Sequence, residues 1–212
     1  MGTFMQRVLL SLLSLLLVSC QATNPAQSTY PNLAPLVQPV AQAREAQRAA
    51  AEQFQTAQEQ VSQLANCHTG SLQAMYVATV AEHDAAVQAA MAMNSAIDAL
   101  EQSADTLFQQ WQSETAVLTD ARAKAKSQAR LTQTFQSYQG LIEVMRQSAA
   151  QVAPVLAALN ASVESLRDNL NASAVAARNN ELDALANDIG ALVQQLNSSI
   201  VRSDEFIASL QQ

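Results

Sequence analysis

The sequence predicts an all-α fold: an elongated antiparallel helical bundle, or coiled-coil hairpins, of about four long helices. Three observations lead there. Alanine and glutamine are abundant, while glycines number four and aromatics make up 4% of the chain, a composition that favours helix over sheet. Apolar residues recur at alternating steps of three and four along most of the length, the period of one helical face. Four of the five prolines fall at Pro25, Pro31, Pro35 and Pro39, so little interrupts the remainder.

The chain opens MGTFMQRVLLSLLSLLLVSCQ. Arg7 and the free amine supply a short positive start, followed by an apolar run from Val8 to Val18. That run is about eleven residues, and a bilayer span needs roughly twenty. It reads as a secretory signal peptide over residues 1–19. The run ends Leu17-Val18-Ser19-Cys20, which resembles the lipobox of bacterial lipoproteins. That resemblance implies cleavage before Cys20 and acylation of its thiol. Two or more acyl chains anchor firmly where one holds only marginally. Gln21 at the next position is not the aspartate of inner-membrane retention. The expected address is therefore the periplasmic face of the outer membrane.

Removing the leader takes Arg7 with it and leaves ten basic against eighteen acidic side chains. Nucleic acid is disfavoured as a partner, since phosphate contacts need a basic face. The expected membrane contact is the lipid on Cys20, and the expected partners are envelope proteins or a second copy of the chain. With Cys20 acylated, Cys67 is the sole remaining thiol, which rules out an intramolecular disulfide. Residues 20–39 read as a lipidated, proline-rich tether. Its nineteen residues after Cys20 reach roughly 60 Å at about 3.1 Å each.

The helical domain is expected over residues 40–212. Its first helix runs from about Pro39 to Asn66, with Val40, Gln47, Phe54 and Val61 on one seam position and Ala43, Ala50, Ala57 and Leu64 on the other. Such small residues suit close helix approach. Ser71 is a plausible N-cap for the second helix, whose stripes are Tyr76, His83, Ala90, Ile97, Ala104, Trp111 and Thr79, Ala86, Met93, Leu100, Leu107. The second reversal falls within residues 113–130. The third helix carries a stripe from Leu131 through Phe135, Tyr138, Ile142, Met145, Ala149, Val152, Leu156, Leu159, Val163 and Leu166 to Leu170. Pro154 lies inside it without breaking phase, which predicts a kink and not a boundary. A fourth helix from about Ala174 presents Leu182, Leu185, Ile189, Leu192, Leu196, Ile200, Phe206, Ile207 and Leu210. Gly140 and Gly190 fall inside helices, where they suit close packing.

Several segments resemble a known family: AREAQRAAAEQFQTA in the first helix, LFQQW at residues 107–111, PVLAALNASVESLRDNLNASAVAA from Pro154, and IVRSDEFIASL near the end. They are similar to the helical bacterial lipoproteins grouped as domain of unknown function 2959, over roughly residues 40–210. The resemblance implies a helical fold and an envelope location, and supplies no activity.

Catalytic parts are scarce. A metal site needs several converging His, Cys or carboxylate ligands, and the histidines are His68 and His83 alone. His83 sits on an apolar stripe, which suits a partly buried core residue. Neither a cofactor nor an enzymatic activity is expected. The remaining candidate is a basic group, Arg122, Lys124, Lys126 and Arg130, able to touch lipid headgroups or an acidic partner. The best reading is a non-enzymatic structural or protein-binding module of the envelope, with a carrier of lipid or another hydrophobic ligand as the alternative.

Overall fold

A computed structural model describes residues 32–67 and 71–211. Six helices follow in order: α1 (Ala34–Ala65), α2 (Leu72–Ala116), α3 (Ala121–Ala150), α4 (Val152–Arg167), α5 (Ala172–Ala176) and α6 (Asn179–Leu210). No strand occurs among the described residues. The helices make four struts, because α3 and α4 run on from one another and α5 is a single turn before α6. The strut α1 packs against α2 and α6, and the α3–α4 strut closes the other side against the same two. This is an antiparallel helical bundle, as the stripes require.

The seams of α1 and α2 follow the heptad pattern. In α1, Val40, Ala43, Gln47, Ala50, Phe54, Ala57, Val61 and Leu64 are all buried. In α2, Thr79, Ala86, Ala90, Met93, Ile97, Leu100, Ala104, Leu107 and Trp111 are buried, while Tyr76 and His83 stay at the rim. Fully buried residues such as Phe54, Ile97, Leu159 and Ile189 each contribute roughly 1.5–3 kcal/mol of hydrophobic stabilisation.

Three boundaries and one buried face differ from expectation. Helix α1 begins at Ala34, not Pro39, with Pro35 in its first turn and Pro39 inside it. Proline in a first turn sacrifices no hydrogen bond, and the added length buries Leu36 completely. The expected tether therefore loses its last six residues to helix. At Pro154 the chain has a boundary where a continuous kinked helix was expected. Pro154 has no N–H for the Ala150 carbonyl; α3 stops at Ala150, and Gln151 N–H donates to the Ser148 carbonyl in a tighter turn at 3.3 Å. The interruption leaves Pro154 in the first turn of α4, so the cost of an interior proline is avoided. Burial stays in phase, through Met145, Ser148, Val152, Val155, Leu159, Val163 and Leu166.

The other two differences are smaller. The last helix starts at Asn179, after α5, whose Asn171 side chain accepts the Ala174 N–H at 2.9 Å. On α3, Thr134, Leu141 and Ser148 are buried where the stripe anticipated Phe135 and Ile142, so the core face lies one residue N-terminal of the larger side chains. Elsewhere, Ser71 precedes α2 but forms no side-chain cap. Gly140 has open space where a Cβ would stand, contrary to close packing, while Gly190 has Gln58 Nε2 only 2.7 Å from that point.

Candidate functional site

Helix register decides what projects from the bundle. Gln53 Nε2 donates to Glu82 at 2.6 Å and Gln60 Nε2 to the Met75 carbonyl at 3.3 Å. Antiparallel pairing at that register sets the start of α1 opposite about position 101 of α2. On the other side, Gln136 and Ser137 of α3 share a groove with Ser209 and Phe206 near the end of α6. By this register, residues of about 105–135 lie beyond the levels that α1 and α6 reach. They form a two-helix arm of roughly 18 Å, at 1.5 Å per residue, projecting from the end where α1 begins.

Arginine 146 fixes the base of this arm. Its Nε donates to Glu101 at 3.1 Å and its Nη2 reaches both Asp98 and Glu101. The hydrogen bond to Glu101 above all, opposed by burial and aided by Asp98, raises the guanidinium pKa above its ordinary value. Above that clamp, Phe108 meets Phe135 edge-on, with ring centroids 5.1 Å apart, and Tyr138 at 5.4 Å. Burial, then the Glu101 and Asp105 charges, push the Tyr138 hydroxyl up to about 12. Nearer the tip, Trp111 Nε1 donates to Ser127 Oγ at 3.0 Å, and Ser127 Oγ shares a 2.7 Å hydrogen bond with Thr115. A polar group in so thin a core is tolerated because each member is satisfied.

The reversal at the tip spans residues 117–120, inside the predicted segment. Asp120 caps α3, its carboxylate accepting the Ala123 N–H at 2.7 Å. Lys124 Nζ donates to the Ala116 carbonyl at 2.7 Å, which closes the end of α2. Arg122, Lys126 and Arg130 recur every fourth residue, so they share one helix stripe. All four predicted basic residues thus lie on the arm, three of them on one stripe and Lys124 turned to the end of α2. Val117, in the turn between the helices, is 77% exposed.

The other candidates fall elsewhere or outside view. Leu17, Val18, Ser19 and Cys20 lie outside the described residues, as does His68. Cys67 is buried at the end of α1, with its sulfur 3.4 Å from Ser71 Oγ, the hydroxyl that was expected to cap α2. His83 is half-buried and its Nδ1 lies 3.1 Å from Asp84. Among the described residues, no group of three or more His, Cys, Asp or Glu is placed to hold a metal ion. No described helix is long and apolar enough to cross a membrane.

One group was not anticipated as a cluster. Gln47 of α1 meets Ser199 of α6 and Ser148 of α3 in the centre of the bundle, and all three are buried. Gln47 was placed on the seam, but only its serine partners on two other helices reveal a polar layer. Beside this layer, a groove of about 630 Å³ between α4 and α6 is lined by Gln151, Pro154, Val155, Asp188 and Gln195.

Fold and site together define an antiparallel helical-bundle protein with a projecting, basic-tipped two-helix arm. The chain belongs to the family described as "Protein of unknown function (DUF2959)", whose model matches residues 30–210. No curated protein and no solved structure matches it.

Proposed function

We propose that this chain is a lipoprotein anchored through Cys20 at the periplasmic face of the outer membrane, where its bundle serves as a non-enzymatic structural or protein-binding module of the envelope. The observation that carries the reading is the Leu17–Cys20 lipobox resemblance, which closes a short apolar run with a basic start. The bundle supports it with a well-filled core and surface positions suited to contact. Met91 of α2 is 62% exposed and Val201 of α6 is 55% exposed, so a probe at either position samples the surface without disturbing the core.

Photocrosslinking residues placed at Met91 and Val201 in living cells test the module. The expected result is a discrete adduct, either to an envelope protein or to a second copy. No adduct at either position across several growth conditions would contradict it.

The groove beside Pro154 is a feature that bears on the alternative carrier. Its walls carry Gln151, Asp188, Gln194, Gln195 and Ser198, and such polar groups suit an acyl chain poorly. Native mass spectrometry of the membrane-purified protein separates the two readings. A module gives the mass of the lipidated chain alone; a carrier retains an additional, non-covalent lipid.

A further inference from the structure

We propose that the tip of the α2–α3 arm is a second membrane contact, which docks on anionic phospholipid headgroups of the leaflet that holds the lipid anchor. The inference rests on the anchored reading above and adds to it a surface, a ligand class and an orientation.

Charge is the first observation. The chain carries eighteen acidic side chains, yet the segment from Glu114 to Arg130 contains four cations and two carboxylates. From Ala121 to Ile142 there is no acidic residue at all. Asp120 is committed to capping the helix. Lys124 closes the end of α2, but Arg122 sits in the first turn of α3, where the helix dipole disfavours positive charge. Helix stability therefore does not account for placing Arg122 there. Anionic headgroups attract basic segments held at their surface.

Apolar exposure is the second. Val117 is 77% exposed in the turn at the extreme of the arm, more than Val77, Met91, Phe135 or Val201. Lys124 reaches the carbonyl of the neighbouring Ala116, and an exposed apolar group beside a basic one suits a membrane-surface contact, the apolar part entering the headgroup boundary and the cations meeting phosphates.

Position is the third. The arm projects from the end of the bundle where α1 begins. Eleven residues separate Cys20 from Asn32, and they span at most roughly 40 Å. That is longer than the arm, so the tip reaches the leaflet while the chain remains anchored. The acidic remainder of the bundle is repelled by the same surface, which leaves the arm as the end that approaches it.

Lys124 and Lys126 are the only lysines in the chain, so amine chemistry reports on the arm. The full lipidated protein is reconstituted into vesicles of phosphatidylcholine alone, or of phosphatidylcholine mixed with phosphatidylglycerol. Flotation is scored, and modification of both lysines by a water-soluble amine reagent is followed by mass. The protein is expected to float with both vesicles, with lysine modification slowed about fivefold or more only where phosphatidylglycerol is present, the preference of one basic group near an anionic surface. High salt should abolish the protection. So should the double variant Arg122→Glu, Arg130→Glu, which keeps both reporters, and Val117→Ser should weaken it without touching the core. Circular dichroism checks that both variants remain helical. Flotation with equal modification in the two vesicles would overturn the docking and leave the anchor standing. Failure to float on phosphatidylcholine would overturn the anchor, and with it a second contact built on it.

Discussion

Gln47 and Ser199 lie 152 positions apart in sequence and hydrogen-bond in the centre of the bundle. The Gln47 amide donates to Ser199 Oγ at 2.9 Å, and the Ser199 hydroxyl donates back to Gln47 Oε1 at 3.2 Å. Both side chains are 0% exposed. The same amide reaches Ser148 Oγ at 3.4 Å, so α1, α3 and α6 meet at one polar layer. A buried polar seam residue sets register at a cost in stability. Removing one partner is expected to cost more than removing both. Gln47→Ala should destabilise by about 2–3 kcal/mol, from a cavity and an orphaned hydroxyl. The double variant Gln47→Leu, Ser199→Ala should recover most of that loss. Urea unfolding of the singles Gln47→Leu and Ser199→Ala and of their double measures the coupling; strictly additive effects would count against the layer.

The arm should melt before the bundle. Among the described residues its core is two helices thick, and its polar anchor is the Trp111–Ser127–Thr115 group. Trp111 is the only tryptophan in the chain, so its fluorescence follows the arm while far-ultraviolet circular dichroism follows all helices. The fluorescence midpoint in urea should fall below the dichroism midpoint, as for any local unit of low stability. Ser127→Ala should widen the gap, since it leaves the buried Trp111 N–H and Thr115 hydroxyl without this partner, at about 1–3 kcal/mol. Coincident transitions in both proteins would show that the arm is not a separate unit.

Alkaline pH should loosen the same region. Burial, helped by the Glu101 and Asp105 charges, pushes Tyr138 up to about 12, whereas an unfolded tyrosine ionises near 10. Between those values the unfolded chain releases a proton that the folded chain keeps, so stability falls as pH rises from about 10 to about 12. The group contributes nothing to pH dependence below that window. Tyr138→Phe should flatten the decline, which thermal unfolding across the window would reveal. An unchanged slope would mean that Tyr138 ionises as it does in water.

The two interior glycines should respond differently to alanine. Gly140 is exposed on α3, with nothing within 4 Å of the point where an alanine methyl would stand, so Gly140→Ala should gain about 0.5–1 kcal/mol of helix propensity. At Gly190 the methyl meets the Gln58 amide at 2.7 Å, and that side chain must turn away. Gly190→Ala should therefore gain less than Gly140→Ala. Thermal unfolding of the pair tests the order.

Much of this architecture was legible in the sequence because heptad spacing is strict and few residues break helices. The seams of α1, α2 and α6 follow from it directly, whereas the thinning of the pattern bounds the second reversal only to residues 113–130, within which the turn occupies 117–120. Legibility failed where two principles competed. Four prolines suggested a tether through Pro39, but Pro35 falls in a first turn and Leu36 gains complete burial by extending the helix. Side-chain size placed Phe135 and Ile142 in the core of α3, where close approach favours Thr134 and Ser148 on the seam. At the site, the four basic residues were visible as a group. Their projection beyond the bundle was not, since it depends on the unequal lengths of α1, α2, α3 and α6, and on a helix–helix register that no single stripe encodes.

The anchor gives the arm, the bundle and their proposed partners one setting, and Cys20→Ala tests it most directly. Membranes and soluble extract from cells carrying each form are separated, and the intact mass of the protein is recorded. The account predicts that the native chain is found with membranes and carries acyl mass on Cys20, and that the variant moves to the soluble fraction without that mass. A variant that remains fully membrane-bound would contradict it.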